Sequence, residues 1–277
     1  MPERKVPESV IKNAWHTYLT TGEMPPVLNP PWFERKAFRP FLKRLPKSPR
    51  CSICYIPFEG IGGTISRTFL RVERSRLNPN LCNVCELFAT EYHGGVELEI
   101  SMLFVDVRGS TSIAENTSPE KFSKLINRFY RTTTEIFYRN YGFVEKLVGD
   151  EVAGFFVPGF AGAEHASVAV ETAKQIMRAL GYRQNSKPWI PAGIGINTGI
   201  AYVGSVHTEG DVSNIAILGD SVNTTARLAS LAGAGEILIS DRTREEANLD
   251  MTGRESQTLK LKGKSQDVVA WTWKVES

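Results

Sequence analysis

The sequence predicts an α+β fold, a ferredoxin-like βαββαβ domain preceded by a small cysteine-bearing module. Three observations lead there. From residue 96 onward, apolar runs of strand length alternate with helix-period segments in the order strand, helix, two strands, helix, strand. Before that point the chain is basic and rich in proline: residues 1–96 hold 14 Lys and Arg against 8 Asp and Glu, 11 of the 15 prolines and all 4 cysteines, while the remainder holds 19 bases against 22 acids. Between the two stands Gly94-Gly95, a linker signal that divides residues 1–95 from 96–277. With 277 residues, 42% hydrophobic and 23% charged, the chain has the composition of a soluble globular protein with a sizeable core. The uncharged run from Pro188 to Val206 is interrupted by four glycines and carries Asn197 and Thr198, so it is unsuited to hydrocarbon. The start, MPERKVPESV, has no apolar core of the signal-peptide type, and a cytoplasmic location is expected.

Each element has its own signal. Glu8 to Thr20 sets Val10, Ile11, Trp15, Tyr18 and Leu19 at helical spacing. Seven prolines between Gly22 and Pro49 exclude long regular elements there and leave extended chain anchored by Trp32, Phe33, Phe38 and Phe41. Seven bases without an acid, Arg35, Lys36, Arg39, Lys43, Arg44, Lys47 and Arg50, read as a solvated arm packed on the acidic second part, in preference to a nucleic-acid or membrane surface. Leu98 to Val107 is an apolar strand ending at a Gly-Ser-Thr-Ser turn. Thr117 with Glu120 forms a capping box, and Phe122, Leu125, Ile126, Phe129, Ile136 and Phe137 mark one face of a long helix ending near Gly142. Phe143–Val148 and Val152–Val157 flank Gly149-Asp150 as a tight hairpin with the acid at its tip. A helix from about Ala163 to Leu180 stops at Gly181. Strands follow at Ala192–Asn197, Ile200–Ser205 and Asn214–Leu218. A helix at Ser221–Leu231, a strand at Glu236–Ser240, a short helix after Asp241 and strands at Thr258–Lys262 and Val268–Lys274 complete the chain.

Two acids stand where strands end. Asp106 closes an apolar strand and Asp150 sits on the hairpin beside it. Converging carboxylates at such a place suit one or two Mg²⁺ or Mn²⁺ ions that also hold a triphosphate. Taken singly, each reads equally well as a turn residue or a helix cap. Gly109, Ser110 and Thr111 follow at a helix start, where backbone N–H groups suit phosphate oxygens. Asn223 and Arg227 share one helix face four residues apart, and an amide beside a guanidinium can orient a sugar and neutralise phosphoryl charge. Alone, that pair reads as a solvated polar face.

The ordered segments LFVDVRGSTSIAE, FVEKLVGDEVAGFF, GIGINTGIAYVGSV, ILGDSVNTTARLA and LKLKGK change that balance, because together they resemble the class III nucleotidyl cyclase catalytic domain from about Val96 to Val275. The resemblance implies a head-to-tail dimer that converts a nucleoside triphosphate to its 3′,5′-cyclic monophosphate and pyrophosphate at sites shared across the interface. It makes Asp106 and Asp150, with the carbonyl of Val107, the ligands of two Mg²⁺ or Mn²⁺ ions. Lys146 matches the base-selecting lysine of adenylyl cyclases, where guanylyl cyclases usually have Glu, so ATP is the expected substrate. Asn223 matches the ribose-orienting asparagine, Arg227 the transition-state arginine and Lys262 the triphosphate lysine. The aspartates of one chain face Lys146, Asn223, Arg227 and Lys262 of the other, so a homodimer has two complete sites. Two positions depart from the family. Ala216 replaces the Asp or Thr that usually completes base selection, leaving only backbone carbonyls for the adenine amino group, and Gly193 replaces a phosphate-binding arginine found in some members. The rival readings are a guanylate cyclase, a regulatory nucleotide-binding protein without turnover, and a zinc-ribbon nucleic-acid binder.

Cys51-x-x-Cys54 and Cys82-x-x-Cys85 form a paired CxxC pattern, a strong metal-site signal in a chain expected in the cytoplasm. Zinc is the default ion for four thiolates. An iron–sulfur cluster is the alternative, since Tyr55 and Glu86 stand where zinc knuckles favour glycine.

Overall fold

Strand β1 (Gly95–Val107) is the axis of the fold: from Ile100 to Val105 every side chain is buried, which only a strand covered on both faces allows. The computed structural model describes residues 6–23, 50–51, 56–75, 81–86, 92–183, 186–207, 213–260 and 267–274. Cys54, Lys262, the aromatics from Trp32 to Phe41 and the bases from Arg35 to Lys47 lie outside the described residues. The chain divides into two compact units. One comprises Leu98–Val157, Ala161–Ala201 and Leu218–Ser277, the other Met1–Glu97, Pro158–Phe160 and Tyr202–Ile217.

In the larger unit, β1 is followed by α3 (Ser110–Glu115), α4 (Pro119–Arg139), the hairpin β2 (Phe143–Val148) and β3 (Glu151–Phe156), α6 (His165–Leu180) and β4 (Ala192–His207). The labels α1 and α2 belong to the smaller unit, and α5 is the single turn Pro158–Ala161. The sheet order β2-β3-β1-β4 is the ferredoxin-like arrangement the sequence predicts. It is extended by β6 (Glu236–Ser240), parallel to β4, and then by the antiparallel strands β8 (Val268–Lys274) and β7 (Ser256–Leu259). Helices α4 and α6 pack on each other and on the hairpin, burying Phe129, Phe137, Ala169, Ala173 and Ile176 against Leu103, Val105 and Phe156. Helix α7 (Asp220–Leu231) follows β5 (Ser213–Leu218) and packs on β6, with α8 (Asp241–Glu246) next along the chain. A buried hydroxyl chain ties β1 to its neighbours. Ser101 Oγ meets His165 Nδ1 at 2.9 Å and Thr198 Oγ1 at 2.8 Å, and Thr243 Oγ1 donates to Thr198 Oγ1 at 3.1 Å.

Three expectations are corrected. Ser118, not Thr117, caps α4: Pro119 at the first helical position holds the residue before it extended (φ −65°, ψ 148°), so Ser118 accepts from the Lys121 N–H while Thr117 Oγ1 donates to the Ile113 carbonyl. The strands expected at Ala192–Asn197 and Ile200–Ser205 are one 16-residue strand, β4, because Thr198 and Gly199 continue the ladder instead of turning. Strand β7 begins at Ser256 and ends at Leu259, earlier than Thr258–Lys262.

In the smaller unit, α1 (Glu8–Thr21) buries Ala14, Trp15, Tyr18 and Leu19 and ends at Gly22 in the left-handed conformation (φ 66°), whose N–H bonds to the Tyr18 carbonyl. Helix α2 (Gly60–Phe69) has no counterpart in the sequence reading, since three glycines in its first turn argue against a helix.

Candidate active site

The β2–β3 hairpin delivers Asp150 to the end of β1. Register pairs Asp106 with Glu151, and the Val107 N–H donates to the Asp150 carbonyl at 3.1 Å. Gly149 turns the chain with φ 60°, a conformation a two-residue hairpin needs and a side chain resists. Tyr130 on α4 fixes the tip by donating its hydroxyl to the Gly149 carbonyl at 2.6 Å. The structure thus brings Asp106, Val107 and Asp150 together, with Gly109, Ser110 and Thr111 following at once where α3 begins.

The electrostatics of this corner are those of crowded carboxylates. Burial raises the Asp106 carboxyl above the ordinary aspartate range; the Arg108 guanidinium works against that, and Asp150 adds to it. Glu151 is likewise raised, first by burial and then by Asp106, Asp150 and Glu145, with Lys146 opposing. Lys146 is exposed on β2 just past a bulge between Val144 and Lys146, which shifts it by one position relative to β3.

Asn223 and Arg227 lie on α7, the first exposed and the second half-buried. Two glycines of β4 set the seat of that helix. A Cβ on Gly195 would stand 2.2 Å from the Ala229 nitrogen, and one on Gly193 would stand 2.4 Å from the Ala232 carbonyl oxygen. The position where some relatives carry a phosphate-binding arginine is therefore closed to any side chain in this packing. Ala216 is half-buried on β5, in the smaller unit.

Three residues at this site were missed by sequence reasoning. Arg108 forms an ion pair with Asp106, and its Nη1 donates to the Ser230 carbonyl in the last turn of α7 at 2.7 Å. It stands two residues after Asp106, where the turn drew attention to backbone donors and not to the side chain. Glu151 adjoins Asp150 and pairs with Asp106 in register, a relation visible only once strand pairing is known. Tyr130 reads as one more aromatic of α4 until its hydroxyl is seen at the hairpin tip.

The N-terminal thiols also converge. Cys51, Cys82 and Cys85 are buried, and their sulfurs all lie within 4.8 Å of one another.

A ferredoxin-like sheet that presents paired carboxylates at the end of its first strand, followed by an Asn/Arg helix, defines a nucleotidyl cyclase catalytic domain. Residues 96–274 match the adenylate and guanylate cyclase catalytic domain, and the chain belongs to that class III family. The uncharacterized protein Rv1318c of Mycobacterium tuberculosis is 30% identical over 181 residues, 63% of this chain and 32% of that protein. The match thus spans about a third of the length of such curated relatives. Among solved structures, the guanylyl cyclase Cya2 superposes with a TM-score of 0.59 at 29% identity, covering 65% of this chain and 93% of that one. The adenylyl cyclase CyaB from P. aeruginosa gives 0.56 at 28% identity, covering 66% and 97%. Among the described residues, no helix is long and apolar enough to cross a membrane.

Proposed function

We propose that this chain is an adenylate cyclase that forms 3′,5′-cyclic AMP and pyrophosphate from ATP, acting in the cytoplasm as a homodimer with two shared sites. The observation that carries this reading is the delivery of Asp150 to Asp106 beside the carbonyl of Val107. Two carboxylates and a carbonyl form a hard oxygen donor set that fits Mg²⁺ or Mn²⁺. Burial disfavours the bare Asp106 carboxylate, and a divalent cation held there would offset that cost. When bound, such a pair of ions supplies the charge that acidifies the ribose 3′-hydroxyl and holds the β- and γ-phosphates.

The chain's own groups do the remaining work. Asp106, Asp150 and the Val107 carbonyl hold the metal, while backbone N–H groups of Gly109, Ser110 and Thr111 face phosphate oxygens. Asn223 orients the ribose, Arg227 supports charge growing on the α-phosphoryl group, and Lys262 holds the triphosphate. The ribose 3′-oxygen bonds to the α-phosphorus as the bond to the pyrophosphate oxygen breaks, and the hydroxyl proton leaves to solvent. Asn223 and Arg227 serve the partner's carboxylates, which gives one chain both halves of two different sites.

The choice of ATP over GTP rests on Lys146, since both adenylyl and guanylyl cyclases resemble this chain to a similar degree. Ala216 offers the base no hydrogen-bonding side chain, so the discrimination is modest. The test is turnover by the purified chain with Mn²⁺ and each nucleotide, the product identified by chromatography. Cyclic AMP formed faster than cyclic GTP supports the reading; GTP handled equally or better replaces it with the guanylate cyclase. For the N-terminal module, the paired CxxC pattern supports a metal group, zinc or an iron–sulfur cluster, on Cys51, Cys54, Cys82 and Cys85.

A further inference from the structure

The thiol cluster carries more than a generic metal reading. Cys51 and Cys82 come from distant stretches of chain, yet the Cys82 N–H donates to Cys51 Sγ at 3.3 Å, and the Cys85 N–H donates to Cys82 Sγ at 3.4 Å. Three buried sulfurs gathered this closely, two of them already accepting backbone N–H groups, form the arrangement that a single thiolate-bound metal ion takes. Their spacing fits one tetrahedral ion and not a multi-iron cluster. Two sulfurs about 2.3 Å from one tetrahedral zinc ion are about 3.8 Å apart, within the 4.8 Å limit of this group. An iron–sulfur cluster inserts several irons and sulfides between its cysteines and spreads them further.

Tyr18 of α1 is buried within reach of the charge of the same cluster. Tyr18 is fully buried, and its phenol is pushed well above the usual range by burial and then by the charge of Cys85, Cys51 and Cys82. Its ring also meets Phe160 edge-on at 5.2 Å and Trp15 at 6.0 Å. Trp15 donates its indole N–H to the Tyr92 carbonyl at 2.9 Å. Two residues further on, Gly94 is joined to β4: its N–H donates to Ser205 Oγ at 3.0 Å and its carbonyl accepts from the Ser205 N–H at 2.8 Å. At the end of α1, a Cβ on Gly22 would lie 2.2 Å from the Gly159 carbonyl oxygen, so backbone rests directly on backbone. Packing is therefore continuous, within the smaller unit, from Tyr18 and Trp15 to residues 158–160 and to the end of β4.

We propose that Cys51, Cys82 and Cys85 bind a single zinc ion, and that α1, seated on this site through Tyr18, clamps the Phe160 segment and the β4–β5 ribbon. This rests on the thiol-metal reading above and deepens it by naming the ion and the part of the chain it orders. Cys54, the fourth cysteine of the paired pattern, lies outside the described residues.

The test uses the full chain. Elemental analysis of purified protein is expected to give about one zinc per chain, lost on treatment with a strong chelator or in a Cys82→Ser, Cys85→Ser variant. After zinc removal from the wild-type chain, amide exchange in residues 8–21 and 202–207 should accelerate on the order of tenfold, with residues 143–156 unchanged. Tyr18→Ala should speed the same two segments while zinc stays bound, and Tyr18→Phe, which keeps the ring, should restore their protection. Iron with visible charge-transfer absorption, or no metal in protein purified without chelator, overturns the zinc site. Zinc whose removal leaves both segments protected overturns the clamp. None of these readouts involves nucleotide turnover, so an inactive chain holding one zinc defeats the cyclase reading and leaves this one standing.

Discussion

The two units of this chain are stabilised by different means. The larger buries aliphatic and aromatic side chains from almost every strand and helix, and its candidate residues stand at the ends of elements whose cores do not depend on them. Among the described residues, the N-terminal part of the smaller unit buries few aliphatics, Leu19, Ile56, Val72 and Leu81 among them, and relies on Trp15, Tyr18 and three cysteines. On this reading, chemistry and folding are separable in the larger unit and coupled in the smaller one, where the proposed metal ligands are also part of the core.

The sharpest way to break that contrast is to remove a carboxylate. Asp106→Ala or Asp150→Ala should lower turnover on the order of 10³-fold while circular dichroism stays unchanged. Loss of fold in either variant would show that site and core are not separable there. A smaller effect is expected from Lys146→Glu combined with Ala216→Cys, which should move the ATP-to-GTP preference on the order of tenfold to a hundredfold towards GTP, read from kcat/KM for each nucleotide. The new carboxylate can accept from the guanine N1 and amino groups.

Two stability measurements sharpen the comparison further. Burial raises the folded pKa of Asp106 above its ordinary 3.8, so its contribution to stability is present below that value and is lost as pH rises through the folded one. Asp106→Asn should therefore melt a few degrees higher than wild type at pH 7 without metal, and Mn²⁺ should raise only the wild-type Tm. His165, bonded to Ser101, is held below its ordinary 6.5 by burial. Its neutral form therefore stabilises the fold above pH 6.5, and that contribution fades as pH falls through the lowered value. The Tm of wild type should drop more steeply between about pH 6.5 and 5 than that of His165→Asn.

How much of this was legible in the sequence follows the same division. The alternation of strands and helices, the hairpin tip at Gly149-Asp150 and the stop at Gly181 each have a local cause, and each stands where its residues place it. The cap of α4 was misplaced by one residue because Pro119 decides it, and the continuity of β4 was hidden because Gly199 reads as a break while strand pairing overrides it. Arg108 and Glu151 depend on partners far along the chain, Ser230 for one and Asp106 for the other, and no local pattern reports such pairs. In the smaller unit the CxxC pattern was plain, but the role of Tyr18 was not. It counted only as one apolar position of α1 until the fold buried it fully, where the charge of the thiols bears on its phenol.

In the proposed homodimer one chain carries both halves of a shared catalytic site, with Asp106 on one half and Arg227 on the other. Mixing Asp106→Ala chains with Arg227→Ala chains, each almost inactive alone, tests it directly. Cyclic AMP formation with Mn²⁺ is expected to return on mixing, to about a quarter of the wild-type rate if chains pair at random and one site in each heterodimer is intact. No recovery, in a mixture where heterodimers are demonstrated and the wild type is active, would contradict it.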